Sequence, residues 1–531
     1  MSDPSTKPND NPFRSRRWHL FGVDSDRVIR TFFAGNALVA IIILVLITIF
    51  LFKEGWGFFP QNYQNLKLYR QTGVEFVDVL KRHEEDFSAL NRFLNNIRTQ
   101  EVQRHKDAGE TLAEANERLK PFDLYLTAFE EGGYDITDLV NELKTTATEL
   151  RSRYEIYLNQ AQLRSNLEKA GRTKEAAAIE LVPVDLVDEV KSIQDNLPRV
   201  ISTLGALAAH VNQMQQTIPR EADTAMTARL EKFRSLLIQY EASFPALQQT
   251  LRSWDPQKPV SAYHAVTSFI FGREWVTNSY IQDWYGILPL FTGSLLVALI
   301  ALCFAVPFGV AAAVYVNQIA ASAEAKLIKP YIEFISALPS VVVGFFGVAV
   351  FGEFVRYSSQ AEWLSWVPFF PISERLNAFT AGCLLALMAI PTIFTLAEDA
   401  LNNVPRSFKE ASLALGANRL QTTIRIIIPS ALSGIISAIL LGFGRVIGET
   451  MVVLLCAGNR ISIPDFTQGV GIVFQPVHTM TGIIAQEMGE VVREGLHYRA
   501  LFLVGIVLFF ISLLVNFLAQ KIVRRYKLGS N

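Results

Sequence analysis

The chain has 531 residues, half of them hydrophobic and only 19% charged, a charge fraction too low for an ordinary water-soluble protein. Its formal net charge of −1 supplies no field for nucleic acid. Cys303, Cys383 and Cys456 all fall in apolar runs, which excludes a disulfide framework or a cysteine metal site as the organising device.

Uncharged runs of span length lie at 31–52, 286–323, 334–352, 376–397, 426 to about 459, and 500–520. Arg445 and Glu449 alone interrupt the fifth. The first is too long for the apolar part of a signal peptide, and no small-residue cleavage site follows it, so it reads as a retained span. An all-α polytopic membrane protein with six transmembrane helices is predicted. It divides into an N-terminal segment (1–30), a first transmembrane helix (31–59), an insertion (60–270) and a five-helix core (271–531).

Lysine and arginine placement predicts the orientation. One set of segments carries Lys7, Arg14, Arg16, Arg17, Arg27 and Arg30; Lys326 and Lys329; Arg406, Lys409, Arg419 and Arg425; and Lys521, Arg524, Arg525 and Lys527. Six spans put all four clusters on one side. The opposite loops hold Glu353, Glu362, Glu374, Asp465, Glu487, Glu490 and Glu494. Both termini are expected in the cytoplasm, with residues 60–270 outside.

The insertion is polar and reads as amphipathic helices. Phe76, Leu80, Phe87, Leu90 and Leu94 share one helical face within 76–97, and Ile136, Leu139, Val140, Leu143, Leu150 and Tyr154 another within 136–160. Residues 225–244 repeat the habit. Breaks are expected at Gly132-Gly133, around Pro183 and at Pro219, giving a helical bundle. His83, His105 and His210 lack paired-ligand spacing and are read as solvated surface histidines, with no metal site. The bundle carries no recognisable chemistry, which leaves docking, sensing or spacing.

The most specific stretch is "EASLALGANRLQTTIRIIIP" (410–429). Pro405 and Ser407 are suited to start a helix, with Glu410 near its positive end. Small Ala411 and Ser412 suit close docking in a partner's groove, and Gly416 permits a turn into a second short helix ahead of Pro429. The segment resembles the EAA loop of ABC importer permeases (EAA-x3-G-x9-I-x-LP), with Ser412 for an alanine and Ile428 for the leucine. That resemblance implies a type I permease fold, makes 405–429 the coupling loop, and assigns Glu410, Ala411, Gly416 and Pro429 to contact with an ATPase. No G-x4-G-K-[ST] loop occurs in the chain, nor any Ser/His/Asp, zincin or Cys/His constellation. No cofactor is expected here and no enzymatic activity; ATP is expected to be bound by a separate subunit.

Five further stretches are similar to phosphate importer permeases of the Pst type: 287–316, 334–347, 384–405, "GRVIGETMVVLLCAGN" (444–459) and "IIAQEMGE" (483–490). The GETM…AGN form is nearer the PstC than the PstA branch. The resemblance implies a PstA-like second permease, two ATP-binding subunits, a periplasmic phosphate-binding protein and residence in a bacterial inner membrane. The 60–270 insertion departs from compact members.

Arg445 and Glu449, four apart on an expected helix, can neutralise each other on one face. An ion pair pinning the fifth span is one reading. The family resemblance supports another: Arg445 contacts phosphate on the translocation path and Glu449 steadies it; the hydroxyl of Thr450 is a further candidate contact, read from the residue itself. Gly442, Gly444 and Gly448 are expected to let helices approach closely. Pro339 is expected to break or kink the third span, and Ser336 and Ser340 are weaker hydroxyl candidates. A different class of function, a membrane sensor whose first two spans flank an exterior bundle, leaves the EAA-like loop without a use.

Overall fold

The computed structural model describes residues 19–20, 23–219, 224–277, 282–364, 367 and 370–526. Lys7, Arg14, Arg16, Arg17 and Lys527 of the basic clusters lie outside the described residues, as do the side chains of Arg27, Glu362, Arg524 and Arg525. The chain divides into two compact units. One comprises Met1–Phe58, Leu290–Arg460 and Pro464–Asn531; the other comprises Phe59–Pro289 with Ile461–Ile463.

Among the described residues, six helices are long and apolar enough to cross a membrane: Arg30–Gln71, Leu288–Ile319, Ser340–Ser358, Ala378–Asn402, Arg419–Ile447 and Leu496–Ile522. The first has its apolar stretch in helix Ser25–Trp56, whose side chains from Arg30 on are mostly exposed except toward the end that meets the sixth span. There Phe50 packs on Phe502 and Phe52 on Phe510, at 5.7 and 5.8 Å between ring centres. A helix apolar on every side and bare on most of them suits lipid. The fourth span is the most enclosed and packs chiefly on the fifth.

The third span begins later than its composition implies. Residues 322–336 form a separate helix, Ser322–Ser336, with no buried residue, and the span starts at Ser340. Pro339, at φ −61° and ψ 133°, is extended and lacks the N–H needed to continue a helix, so the apolar run 334–352 is split. The fifth span enters through a π turn at Thr423–Ile427. Pro429 cannot donate to the carbonyl four residues back, at Arg425, and the widened turn absorbs that gap.

The second unit is built on helices Val74–Asp107, Leu112–Glu131, Tyr134–Lys169, Leu197–Gln216 and Thr224–Arg252. The apolar faces expected from sequence point inward: Phe76, Leu80, Phe87, Leu90, Leu94, Ile136, Leu139, Val140, Leu143 and Leu150 are buried, and Tyr154 is half-buried. The Gly132-Gly133 break exists for space, since both residues have ordinary right-handed φ. A Cβ on Gly132 would lie 2.0 Å from the His210 ring, and one on Gly133 would lie 2.4 Å from Phe87. Residues 271–289, read from sequence with the core, group with the bundle and contain a short antiparallel pair, Trp275–Val276 with Trp284–Tyr285.

The histidines are not the solvated groups expected. His83 is buried at 5% exposure, stacked on Tyr240 at 4.4 Å and edge-on to Phe244 at 4.5 Å. His105 is paired with Glu110 at 3.1 Å, and His210 is half-buried against Gly132. A histidine on an apolar helical face reads as polar in sequence, yet its flat ring packs as an aromatic.

Burial pushes the His83 imidazole down to about 4, and its Nε2 has no hydrogen-bond partner among the described residues. The unfolded chain protonates this group below about pH 6.5, so His83 favours the fold fully above that pH and loses the contribution as pH falls toward 4. At pH 5 the bundle should have lost about 2 kcal/mol relative to pH 8 on this account. His83→Phe keeps the ring stack and removes the titration. Amide exchange in Val74–Asp107 and Thr224–Arg252 of the full-length protein should show that variant better protected than its parent at pH 5, and similar at pH 8. Equal loss in both proteins would contradict this account.

Candidate functional site

The residues singled out from sequence lie at the two ends of one helical run. Helix Arg406–Ala414 starts after Pro405, which is extended at ψ 133°. It closes on Gly416 at φ +84°, with the Gly416 N–H donating to the Leu413 carbonyl and the Ala417 N–H to that of Ser412. A left-handed residue is required there, and glycine takes it without strain. Asn418 then caps the next turn reciprocally with Gln421: each backbone N–H donates to the other's side chain, at 2.8 and 3.0 Å. Arg419–Thr422 runs through the π turn into Ile428–Ile447, with Pro429 in the first turn of that helix. From Arg419 to Ile447 the run is 29 residues, about 42 Å of helix.

Glu410 and Ala411 are exposed on the first helix, with Glu410 in its second turn rather than at its positive end. Ser412 is a correction. It is buried and hydrogen-bonded to Thr422 (Oγ to Oγ1, 3.0 Å), which locks the two short helices together rather than offering a surface to a partner. Around it stand Phe408, Leu413, Leu415 and Leu420, at 41, 41, 89 and 57% exposure. Four large apolar groups bare on one polar loop mark an interaction surface. The loop is also tied to its own unit, because Lys409 Nζ donates to Gln318 Oε1 at 3.2 Å. Nearby, Lys329 pairs with the buried Glu398 at 2.9 Å.

At the other end the expected helix does not continue. Helix Ile428–Ile447 stops, Gly448 sits at φ −87° and ψ −4°, and a separate helix begins at Met451. Arg445 is therefore in the last turn, while Glu449 and Thr450 lie in the break. The i, i+4 ion pair is not made: Arg445 and Glu449 share no hydrogen bond or salt bridge among the described residues. The Arg445 guanidinium is exposed, and its Nη1 donates to Thr392 Oγ1 of the fourth span at 2.9 Å.

Glu449 is half-buried, and its backbone carbonyl accepts from Thr481 Oγ1 at 2.7 Å. It borders a void of about 10 Å³, also lined by Ser294, Thr479 and Thr481. Helix Met480–Glu487 is fixed over this break. Thr479 caps it by accepting from the Gly482 N–H, and Ser294 accepts from the Met480 N–H at 2.9 Å. His478 Nδ1 accepts from the Thr479 N–H, so its Nε2 carries the proton toward Gln486. Thr450 heads the helix Met451–Cys456 without a side-chain cap.

Of the three glycines, only Gly442 makes the expected close approach, since a Cβ there would lie 2.7 Å from Ile393. At Gly444 and Gly448 the nearest atoms are 3.8 and 3.5 Å away. Ser336 bonds its own backbone at Glu333, leaving Ser340, half-buried after Pro339, as the freer hydroxyl. Sequence reading missed Thr392, Ser294, Thr479, Thr481 and His478. Of these, Thr392 and Ser294 carried a local signal, each a hydroxyl within an apolar helix where it needs a partner.

Residues 305–528, which contain the loop and the break but not the bundle, match the family described as binding-protein-dependent transport system inner membrane component. The probable ABC transporter permease protein YqgH of Bacillus subtilis (strain 168) is 32% identical over 244 residues, 46% of this chain and 73% of that protein. The phosphate transport system permease protein PstC of Pasteurella multocida (strain Pm70) is 28% identical over 266 residues, 49% of this chain and 80% of that protein. PstC of Haemophilus influenzae (strain ATCC 51907 / DSM 11121 / KW20 / Rd) is 30% identical over 271 residues, 48% of this chain and 82% of that protein. The chain thus belongs to the binding-protein-dependent transport system inner membrane component family, and is a permease subunit of an ABC transporter.

Proposed function

We propose that this permease moves inorganic phosphate into the cell across the bacterial inner membrane, with both termini cytoplasmic and Arg445 on the path. The observation that carries the reading is the Arg445 side chain. It is a cation exposed beside a break in a span, with one donor on Thr392 and no acid partner among the described residues. An arginine held this way keeps most of its fork for an oxyanion. The relatives named as phosphate transport permeases support phosphate as the substrate class.

ATP is held and hydrolysed by two copies of a separate subunit docking on the bare apolar loop around Glu410, Ala411 and Leu415. A PstA-like permease completes the path, and a periplasmic phosphate-binding protein delivers the anion. Gly416 and the Asn418 cap make the loop a rigid elbow, and the continuous run Arg419–Ile447 carries its displacement to the break that holds Glu449 and Thr450. Rigid-body tilting of such a rod moves Arg445 relative to the neighbouring spans, which is what alternating access requires.

Reconstituted with its partner subunits, the complex should show ATPase activity stimulated at least about tenfold more by phosphate-loaded binding protein than by the same protein offered sulfate or molybdate, a factor equal to about 1.4 kcal/mol of discrimination. Equal stimulation by the three anions would overturn phosphate as the substrate.

A further inference from the structure

We infer that Thr392 is the positioning residue of the path: its hydroxyl orients the Arg445 guanidinium and presents its own proton to the oxyanion that the arginine binds. The inference rests on the reading of Arg445 given above and adds a residue that the loop and the break do not contain.

The geometry starts with packing. Ile393 is fully buried, and its side chain is wedged between two glycines on two other spans. A Cβ on Gly309 would lie 3.0 Å from Ile393 Cγ2, and one on Gly442 would lie 2.7 Å from its Cγ1. This contact brings the fourth and fifth spans close together one turn before Arg445. Thr392 is the preceding residue, about 100° around its helix from Ile393. It therefore stands at the edge of the contact, where Arg445 Nη1 reaches it at 2.9 Å.

The hydroxyl is free to act on a ligand. Thr395, three residues on, donates to the Pro391 carbonyl at 2.9 Å, which is the usual fate of a hydroxyl within a span. Thr392 makes no such bond to its own helix, and among the described residues it donates to no group. Its oxygen accepts from Arg445, and its proton remains available. A guanidinium has five N–H donors, of which this contact uses one.

A neutral acceptor also suits the task better than the carboxylate that the sequence places nearby. A carboxylate in contact would orient the guanidinium and cancel most of its charge, weakening its hold on an anion. Threonine orients it and leaves the charge intact. Glu449, beyond the end of the helix at Ile447, borders the Ser294, Thr479 and Thr481 void instead and does not pair with the guanidinium among the described residues.

The test uses the assembled transporter in proteoliposomes, measuring uptake of labelled phosphate over a concentration range. Thr392→Val keeps the shape and removes the hydroxyl; it should lower uptake about tenfold, with copurification of the partner subunits unchanged. Thr392→Ser should retain more than half of the parent rate, a rescue that a purely structural role for the methyl group would not give. Should the valine variant fail to assemble, Thr392→Ala is read in the same way. Parent-level uptake by the hydroxyl-free variants, or equal loss in the valine and serine variants, would overturn the role of the hydroxyl. Arg445→Gln is run alongside. If it transports at the parent rate, the arginine reading itself falls; if it is inactive while Thr392→Val is normal, only the role of Thr392 falls.

Discussion

Replacing Arg445 with glutamine should reduce phosphate uptake by at least about a hundredfold while the permease still assembles with its partners. Each charge-assisted hydrogen bond from a guanidinium to an anion contributes about 1.5–3 kcal/mol, and a bidentate grip supplies two. Losing about 3 kcal/mol or more in the rate-limiting step corresponds to two or more decades of rate. Folding should suffer little, because the side chain is exposed and its single bond goes to Thr392. Arg445→Lys keeps the charge as a point and loses the fork, so it should fall between the two. Uptake by purified complex in proteoliposomes, normalised to assembled protein, decides the matter. Parent-level transport by the glutamine variant would remove Arg445 from the path.

The second large effect belongs to the bundle. Phe129 has no exposed surface and joins a cluster of rings: Phe87 stacked at 4.9 Å, Phe233 edge-on at 5.5 Å and Tyr125 at 6.4 Å. Phe129→Ala should destabilise the bundle by about 3–5 kcal/mol, from lost transfer energy plus the cavity left behind. The aromatic pairs add about 0.5–1.5 kcal/mol each beyond the area they bury. In the full-length protein, amides of Leu112–Glu131 and Val74–Asp107 that exchange through opening of the bundle should exchange about a hundredfold or more faster. Unchanged protection there would mean that this ring cluster does not hold the helices together.

Several features could be read before any fold was known. The six apolar runs, the inward faces of the bundle helices and the glycine turn at 416 all rest on local rules. The break at Gly132-Gly133 was marked by its glycines, but its cause is the space taken by the distant His210 and Phe87. Span length, helical period and the freedom of glycine operate within a few neighbouring residues, so the sequence carries them openly. The helix–turn–helix form of residues 405–429 was legible for the same reason, since cap, turn and proline all act within 25 residues.

Other features were not. The run 442–459 is apolar on both sides of Gly448, with no proline to mark an end, and so the helix seemed to continue through Glu449. It stops where helix Met480–Glu487 and Ser294 are packed beside it and Thr481 takes the carbonyl of Glu449. The late start of the third span follows from Pro339, whose sequence signal left a break and a kink open; the structure shows the break. His83 looked solvated because its own helix is charged on either side; Tyr240 and Phe244, from a helix more than 150 residues later, bury it.

By itself, then, the sequence determined what each segment must be: which runs are long and apolar enough to enter lipid, which helices hide one face, and where the loop 405–429 turns. Those outcomes depend on covalent geometry and on contact with solvent or lipid, which each residue meets without help from distant ones. Only the tertiary structure decided which partner Arg445 takes. A side chain at the end of a helix has several acceptors within reach, and the choice is set by how near the neighbouring span can come. Here Gly442 and Ile393 set that distance, so the arginine meets a threonine 53 residues earlier in the chain rather than the glutamate four residues on.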